Sequence, residues 1–157
     1  MKVYIKNQQR SIRISQQRLR RDSLRLLRSL NPELASRAEL GILLVSDRRM
    51  KSLNHLYRYI DRTTDVLSFP QMGSNELKDS LPVTRYPLLP LGDIVINLQA
   101  AKRQSSMYGL NFYEEVRRLL IHGFLHLLGY DHEGNLYQER KMKKKERELQ
   151  NALETLD

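Results

Sequence analysis

The sequence predicts a single α/β domain of the α+β type, with a small mixed sheet of about four strands packed against about five helices. The length of 157 residues suits one domain with one hydrophobic core. A hydrophobic share of 40% and a charged share of 29% are ordinary for a globular protein. Short apolar runs alternate with segments of helical periodicity, and no repeat or break in composition divides the chain. We therefore expect residues 1–157 to form one functional domain.

The first strand and helix are predicted near the amino terminus. The apolar residues at 3–5 have the pattern of a short strand. Ser15 is a suitable cap for a helix that extends to Leu30, in which four leucines share one face. Pro32 is expected to end this segment.

The opposite face of this helix is strongly basic. A solvated surface is the default interpretation of such a row, and contact with nucleic acid is the alternative. The basic residues are Arg18, Arg20, Arg21, Arg25 and Arg28.

The next segments predict a second strand and helix. Residues 40–45 form a nearly continuous apolar run, which is typical of a strand covered on both faces. Ser46 follows and predicts the N-cap of a helix over residues 47–57.

The middle of the chain predicts an edge strand and a long loop. Residues 65–70 read as a short strand whose terminal proline favours an edge position. Residues 71–89 contain several prolines and no periodicity, so a loop is expected. A strand over residues 92–96 and a helix over residues 98–108 follow, the helix ending at Gly109.

Two further helices are predicted in the last third of the chain. Asn111 and Glu114 have capping-box spacing and begin a helix that ends at Gly129. A strongly charged helix is then expected over residues 133–153.

Composition limits the expected cellular location of the protein, the residues that could bind a metal and the class of partner. No apolar run approaches the roughly 18 residues that span a bilayer, and the first residues lack the features of a signal peptide, so a cytoplasmic protein without a membrane partner is expected. The chain has no cysteine, so any metal must be bound by His, Asp or Glu. A net charge of +9 makes a polyanion a candidate partner, although charge alone does not identify one.

Three of the four histidines lie within eleven residues. His122 and His126 are one helical turn apart, and a turn at Gly129 would bring His132 back to the same point. Three imidazoles around a tetrahedral ion leave one position open, as in catalytic zinc sites. The competing interpretation is a set of hydrogen-bonded core histidines, which would need three separate explanations. The pattern therefore predicts one Zn²⁺ per chain.

The residue after the first histidine separates two hydrolase classes. Metzincin peptidases carry H-E-x-x-H-x-x-G-x-x-H, in which the glutamate is the general base. Gly123 occupies that position here. A zinc metallopeptidase of metzincin-like geometry therefore remains the alternative rather than the preferred interpretation.

The chain resembles the YbeY endoribonuclease, or ribosomal RNA maturation factor, family. The matching blocks are residues 122–132, residues 54–58 with Asp61 and residues 64–70, and residues 91–96. The resemblance implies a single α/β domain with zinc held by the three matching histidines. It also implies cleavage of single-stranded RNA in ribosomal RNA processing, including the 3′ end of 16S rRNA, and a part in ribosome quality control. The implied partners are ribosomal RNA and the small ribosomal subunit with its associated factors.

The resemblance also assigns a catalytic role to Arg58, where the family has a characteristic arginine. A guanidinium offers a planar fork to a phosphate, whereas the residues alone favour an arginine that bonds the last carbonyls of a helix. The chain departs from the family pattern at Thr63, where proline is frequent. It also departs in the lysines of its last helix, which leave open whether that helix contacts RNA. These are Lys141, Lys143, Lys144 and Lys145.

Other polar residues have weaker assignments. Glu115 and Asp131 are candidates to support a ligand imidazole, with surface exposure and a turn position as the respective alternatives. His55 is interpreted as structural. A third function class, a ribosome-binding factor with structural zinc and no activity, is disfavoured by the open ligand position.

Overall fold

The computed structural model describes residues 1–73, 88–131 and 134–155. It confirms a single α+β domain, with a four-stranded mixed sheet and six helices in that part of the chain. The strands are β1 (Lys2–Asn7), β2 (Ala38–Val45), β3 (Val66–Pro70) and β4 (Leu89–Asn97). The helices are α1 (Gln16–Leu30), α2 (Pro32–Arg37), α3 (Asp47–Arg58), α4 (Leu98–Tyr108), α5 (Phe112–Leu127) and α6 (Leu136–Glu154).

The sheet has the strand order β1-β2-β4-β3. The β1–β2 and β2–β4 pairs are parallel, and β3 pairs antiparallel with β4. The edge position predicted for β3 is therefore confirmed. The end of β3 is paired through Pro70 and Gly92, and Pro70 needs no further ladder partner on its outer side.

Strand β2 is covered less completely than predicted. Its residues alternate between buried and partly exposed up to Leu43, so the expectation of a strand covered on both faces is wrong there. Glu39 and Gly41 alternate with apolar residues, which is the pattern of a strand with one open face. Among the described residues, Met50 and Leu53 of α3 cover part of that face.

The main core lies on the other face of the sheet. Leu40 and Ile94 from the sheet pack there with Leu27 of α1, Phe124 of α5 and Met142 of α6. Burial of these apolar side chains is the principal stabilising contribution.

A buried ion pair also crosses this core. Arg117 Nε of α5 lies 3.5 Å from Asp22 Oδ2 of α1, and both side chains are less than a tenth exposed. No pattern in the sequence indicates this pair, because its members are far apart along the chain.

Most helix boundaries follow the predicted caps. Ser15 and Ser46 accept hydrogen bonds from the first turns of α1 and α3. Pro32 does not only end α1: it also begins α2, where Asn31 is the cap. A proline suits the first helical position because the amide N–H there has no helical partner.

The carboxyl-terminal helices are close to the predictions. Helix α4 ends before Gly109, which has φ 67°, and the capping box of Asn111 and Glu114 is present. Helix α5 ends at Leu127, just before the predicted stop at Gly129. Of the predicted loop, residues 74–87 lie outside the described residues, and Leu89 already belongs to β4. None of the helices in the described segments is long and apolar enough to cross a membrane.

Candidate metal centre and adjoining cleft

Two imidazoles of helix α5 converge on one point. Nε2 of His122 lies 3.1 Å from Nε2 of His126, and the ring centroids are 4.7 Å apart. Two nitrogens that share a tetrahedral zinc at ordinary bond lengths lie about 3.3 Å apart. The observed separation therefore fits a pair of zinc ligands, as the spacing in the sequence predicts.

The chain turns back directly after these histidines. Gly129 has φ 91°, in the region that favours glycine, and its N–H donates to the carbonyl of His126 at 3.0 Å. This confirms the predicted turn and brings Tyr130 and Asp131 to the cavity that the histidines line. His132 lies outside the described residues, and within residues 1–73, 88–131 and 134–155 no group of three potential ligands is found.

A carboxylate supports the first imidazole. Glu146 Oε1 of α6 lies 2.6 Å from Nδ1 of His122, and both side chains are about a quarter exposed, at 25% and 26%. If Nδ1 donates its proton to this carboxylate, the lone pair of Nε2 is free for a metal. Glu146 is thus placed to orient the ring and to favour the tautomer that metal binding requires.

The sequence interpretation missed Glu146, although its position carries a signal. Met142, Leu149 and Leu153 form the buried stripe of α6. Glu146 follows Met142 by four residues and precedes Leu149 by three, so it lies on that same inward face. An acidic residue within an apolar stripe indicates a specific partner in the interior.

Gly123 allows helix α5 to lie close to the sheet. A Cβ at this position would lie 2.8 Å from Ile94 Cγ2 and 3.1 Å from Ser68 Oγ. The Ser68 hydroxyl instead donates to the Gly123 carbonyl at 3.0 Å. The glycine after the first histidine is therefore a packing requirement that places both imidazoles beside strand β3.

The histidines line a cleft of about 580 Å³. Arg58 lines the same cleft from the end of α3, and its Nη2 lies 3.5 Å from the Ser68 carbonyl oxygen. Because this hydrogen bond is long and Arg58 is exposed, the guanidinium can turn toward a ligand. The structure thus brings Arg58 to the cavity of His122 and His126, as the resemblance implies.

Two buried asparagines hold the loop that forms one wall of the cleft. Asn54 donates to the Arg62 carbonyl at 2.8 Å. Asn97 donates to the Thr64 carbonyl at 3.0 Å and to Asp47 Oδ1 at 2.7 Å. Loop residues 61–65 are therefore attached to both α3 and β4.

An ion pair completes this network. The Arg103 guanidinium donates two hydrogen bonds to Asp47, at 2.6 and 2.9 Å. Chiefly through these bonds, the pKa of Asp47 is lowered from 3.8 to about 2, although burial opposes the change. The Asp47 carboxylate, which accepts a hydrogen bond from Asn97, is therefore charged over a wide pH range.

Glu115 lies apart from the imidazoles in the described contacts. It is fully buried and accepts hydrogen bonds of 2.9 and 2.6 Å from Arg118, which raise the pKa of Arg118 above its ordinary value. Arg118 Nη2 lies 3.9 Å from Asp65 Oδ2, and Asp65 lines the cleft. Among the described residues, Arg118 therefore links Glu115 to the cleft. His55 is exposed and does not line the cleft.

Three lysines of α6 contact neighbouring side chains on the protein surface. Lys143 pairs with Glu139, and Lys145 pairs with Glu148. Lys141 lies over the Tyr130 ring, 5.8 Å from its centroid. The helix contributes Glu146 to the candidate metal centre and covers the core through its buried stripe.

Comparison with known proteins groups this chain with the endoribonucleases. The family model described as Endoribonuclease YbeY matches residues 4–154. Endoribonuclease YbeY of Leptospira interrogans is 44% identical over 77% of this chain and 91% of its own, and that of Caldanaerobacter subterraneus is 41% identical over 77% of each. A solution structure of a Thermotoga maritima protein superposes with a TM-score of 0.62 at 25% identity, covering 96% of this chain and 87% of that one.

The chain belongs to the YbeY endoribonuclease family. Members of this family are nucleases that hydrolyse phosphodiester bonds. The family resemblance derived from the sequence motifs is thereby confirmed, and so is the fold class.

Proposed function

We propose that residues 1–157 form a zinc-dependent endoribonuclease that cleaves single-stranded RNA during ribosomal RNA processing. The observation that carries the proposal is the convergence of His122 and His126, with 3.1 Å between their Nε2 atoms, in the cleft that Arg58 lines. Family membership supports phosphodiester hydrolysis over peptide hydrolysis.

His122 and His126 would hold the metal, with His132 as the third ligand expected from the sequence. Imidazole nitrogens without cysteine or a redox-active ligand suit zinc. When bound, the ion supplies Lewis acidity for attack on a phosphodiester. Glu146 keeps Nε2 of His122 available, so the protein contributes a defined tautomer and ring orientation to the centre.

Arg58 would bind the scissile phosphate. Its guanidinium can donate two parallel hydrogen bonds to non-bridging oxygens, which gain negative charge as the phosphate becomes pentacoordinate. Loop residues 61–65, held by Asn54 and Asn97, keep the opposite wall of the cleft in place. The arrangement therefore separates two tasks, metal binding by α5 and phosphate binding by α3.

The dimensions of the cleft support a single-stranded substrate. A cavity of about 580 Å³ can enclose part of one strand but not a double helix. The net charge of +9 supports binding to RNA through release of counterions. We further propose that the substrate is the 3′ end of small-subunit rRNA and that the enzyme acts in the cytoplasm with the small ribosomal subunit and its associated factors, including in ribosome quality control.

The test combines metal analysis with RNA cleavage. Purified wild-type protein should contain about one zinc per chain and should cleave a single-stranded oligoribonucleotide faster than the same sequence in a duplex. The variant His126→Ala should lose both zinc and cleavage. His55→Ala is the matched control, because His55 is exposed and outside the cleft.

Equal zinc content in wild type and His126→Ala would refute the metal centre. Hydrolysis of casein without hydrolysis of RNA would refute the nuclease proposal. Incubation with isolated small subunits that carry unprocessed rRNA then tests the ribosomal role, with accumulation of the mature 3′ end as the expected result.

A further inference from the structure

The face of the sheet left open beside α3 carries a second groove, of about 740 Å³. Strands β1, β2, β3 and β4 and helices α1 and α3 all contribute to it. We call it the open-face groove and define it by the residues whose chemistry matters below: Tyr4, Lys6, Arg20, Arg49, Tyr57, Phe69 and Asp93. None of these residues is used by the metal centre.

The groove is basic. Lys6, Arg20 and Arg49 line it, and Asp93 is the acidic residue in its lining. Within the described segments, no ion pair is found for any of these three cations. The Arg20 guanidinium donates hydrogen bonds of 3.4 Å to the Val3 carbonyl oxygen. The excess of positive charge favours an anionic ligand.

The groove is also aromatic. Tyr57 and Phe69 form an edge-to-face pair with ring centroids 5.1 Å apart. Tyr57 and Tyr4 are each 57% exposed. Tyr4 lies on β1 and Tyr57 on α3, whereas Phe69 of β3 is half-buried. Aromatic rings that lie between cations are elements on which proteins stack the bases of single-stranded RNA.

The open-face groove adjoins the cleft at the edge strand β3, on the opposite face of the sheet. Arg58 lines the cleft, and the preceding Tyr57 lines the groove. On β3, Ser68 and Pro70 line the cleft, whereas Phe69 between them lines the groove, because successive strand residues point to opposite faces. A strand that leaves the cleft across the edge of β3 therefore reaches Tyr57 and Phe69 directly.

We propose that the open-face groove binds the segment of single-stranded RNA that flanks the scissile phosphate. Bases stack on Tyr57, Phe69 and Tyr4, and phosphates lie near the cations that surround these rings. Asp93 accepts hydrogen bonds from base amino groups, which gives the groove a preference among bases. This inference rests on the proposed ribonuclease function and adds the place where the substrate is held.

The first experiment measures binding by fluorescence anisotropy with a labelled single-stranded oligoribonucleotide that is long enough to leave the cleft. The double variant Lys6→Glu/Arg49→Glu should weaken binding by at least about tenfold, and the slope of log affinity against log salt should fall by about 1.4, for two lost phosphate contacts. Arg10→Glu/Arg28→Glu is the charge-matched control, because both arginines are exposed and line neither cavity.

The second experiment tests stacking. Tyr57→Ala should weaken binding of the same oligoribonucleotide by about tenfold. Tyr108→Ala is the control, because Tyr108 is also 57% exposed but lies outside the groove. In the wild type, photocrosslinking of an RNA with halogenated uridines should label peptides that contain Tyr57 or Tyr4.

Cleavage of two substrates separates this inference from the proposed function. A short oligoribonucleotide that fills only the cleft should be cleaved equally by wild type and groove variants, whereas a longer one should show a raised KM in the variants at similar kcat. If wild type cleaves neither substrate, the proposed function fails. If wild type cleaves both and the groove variants match their controls on the long substrate, the groove does not bind RNA and the inference fails.

Discussion

Nδ1 of His122 and Oε1 of Glu146 lie 2.6 Å apart and join two helices across 24 residues of sequence. This contact is shorter than most hydrogen bonds of its type and connects a candidate metal-ligand imidazole to a carboxylate in a partly buried position. It explains why an acidic side chain interrupts the apolar stripe of α6. The contact also predicts that removing the negative charge of Glu146 lowers the affinity for a metal.

Glu146→Gln should lower zinc affinity by about 10- to 100-fold while leaving the fold intact. The amide keeps the size of the side chain and an acceptor oxygen, but it loses the negative charge that holds the Nδ1 proton. Competition with a chromophoric chelator measures the change. Glu148→Gln is the control on the same helix, because Glu148 pairs with Lys145 and lies away from the cleft. Equal zinc affinities for the two variants would contradict the orienting role of Glu146.

Arg58→Ala should retain zinc and stability but should reduce single-turnover cleavage of saturating single-stranded RNA by about 10²–10³. Arg58→Lys should restore little, because an ammonium group lacks the paired donors of a guanidinium. Arg48→Ala is the control, since Arg48 is exposed on the same helix and lines neither cavity. A rate for Arg58→Ala within about threefold of wild type would identify Arg58 as a helix-end residue without a catalytic role.

Gly123→Ala should destabilise the protein by about 1 kcal/mol. Overpacking against Ile94 and Ser68 costs about 1–3 kcal/mol, and the higher helix propensity of alanine offsets about 1 kcal/mol of that. Because the added methyl group moves α5 away from β3, RNA cleavage should also fall. Denaturant unfolding and a cleavage assay measure the two effects.

Gly109→Ala supplies the comparison for that variant. It should also lower the free energy of unfolding by about 1 kcal/mol, because Gly109 has φ 67°. Apart from the chain neighbours of Gly109, no described atom lies within 4 Å of the added carbon, and Gly109 does not line the cleft. Cleavage should therefore be unchanged. If Gly123→Ala retains full activity, the close approach of α5 to β3 is not needed for catalysis. Gly123→Glu should not create a peptidase, since the side chain at this position faces Ile94 and Ser68.

The ion pair of Asp47 and Arg103 should contribute to stability above about pH 4 and lose its contribution as the pH falls toward 2. The pKa of Asp47 is about 2 in the folded protein, and its ordinary value is 3.8. As the pH falls, the unfolded chain therefore binds a proton before the folded protein does, and the free energy of unfolding decreases within this interval. Urea unfolding of wild type and Asp47→Asn at several pH values measures this. The difference between the two proteins should shrink between about pH 4 and 2. A difference that stays constant would show that Asp47 does not titrate in this interval.

Local interactions explain what could be predicted from the sequence. The caps at Ser15, Ser46 and Asn111 and the stop at Gly109 involve atoms within a few residues of each other, so the sequence alone indicates where those helices begin or end. The pairing of His122 with His126 is equally local, because one helical turn separates them. Pro32 ends α1 as predicted, but the short helix α2 that it begins was not predicted, because a proline suits both the end of one helix and the first turn of the next.

The sequence by itself thus determined most helix boundaries, the α+β class, the histidine pair and the family. Tertiary structure decided which groups join that pair: Glu146 reaches His122 from another helix, Arg58 reaches the cleft from the end of α3, and the backbone at Gly123 meets β3. It also decided that one face of β2 stays open. The physical reason is that these relationships depend on how helices pack on the sheet, which is set by the summed burial of side chains distant in sequence.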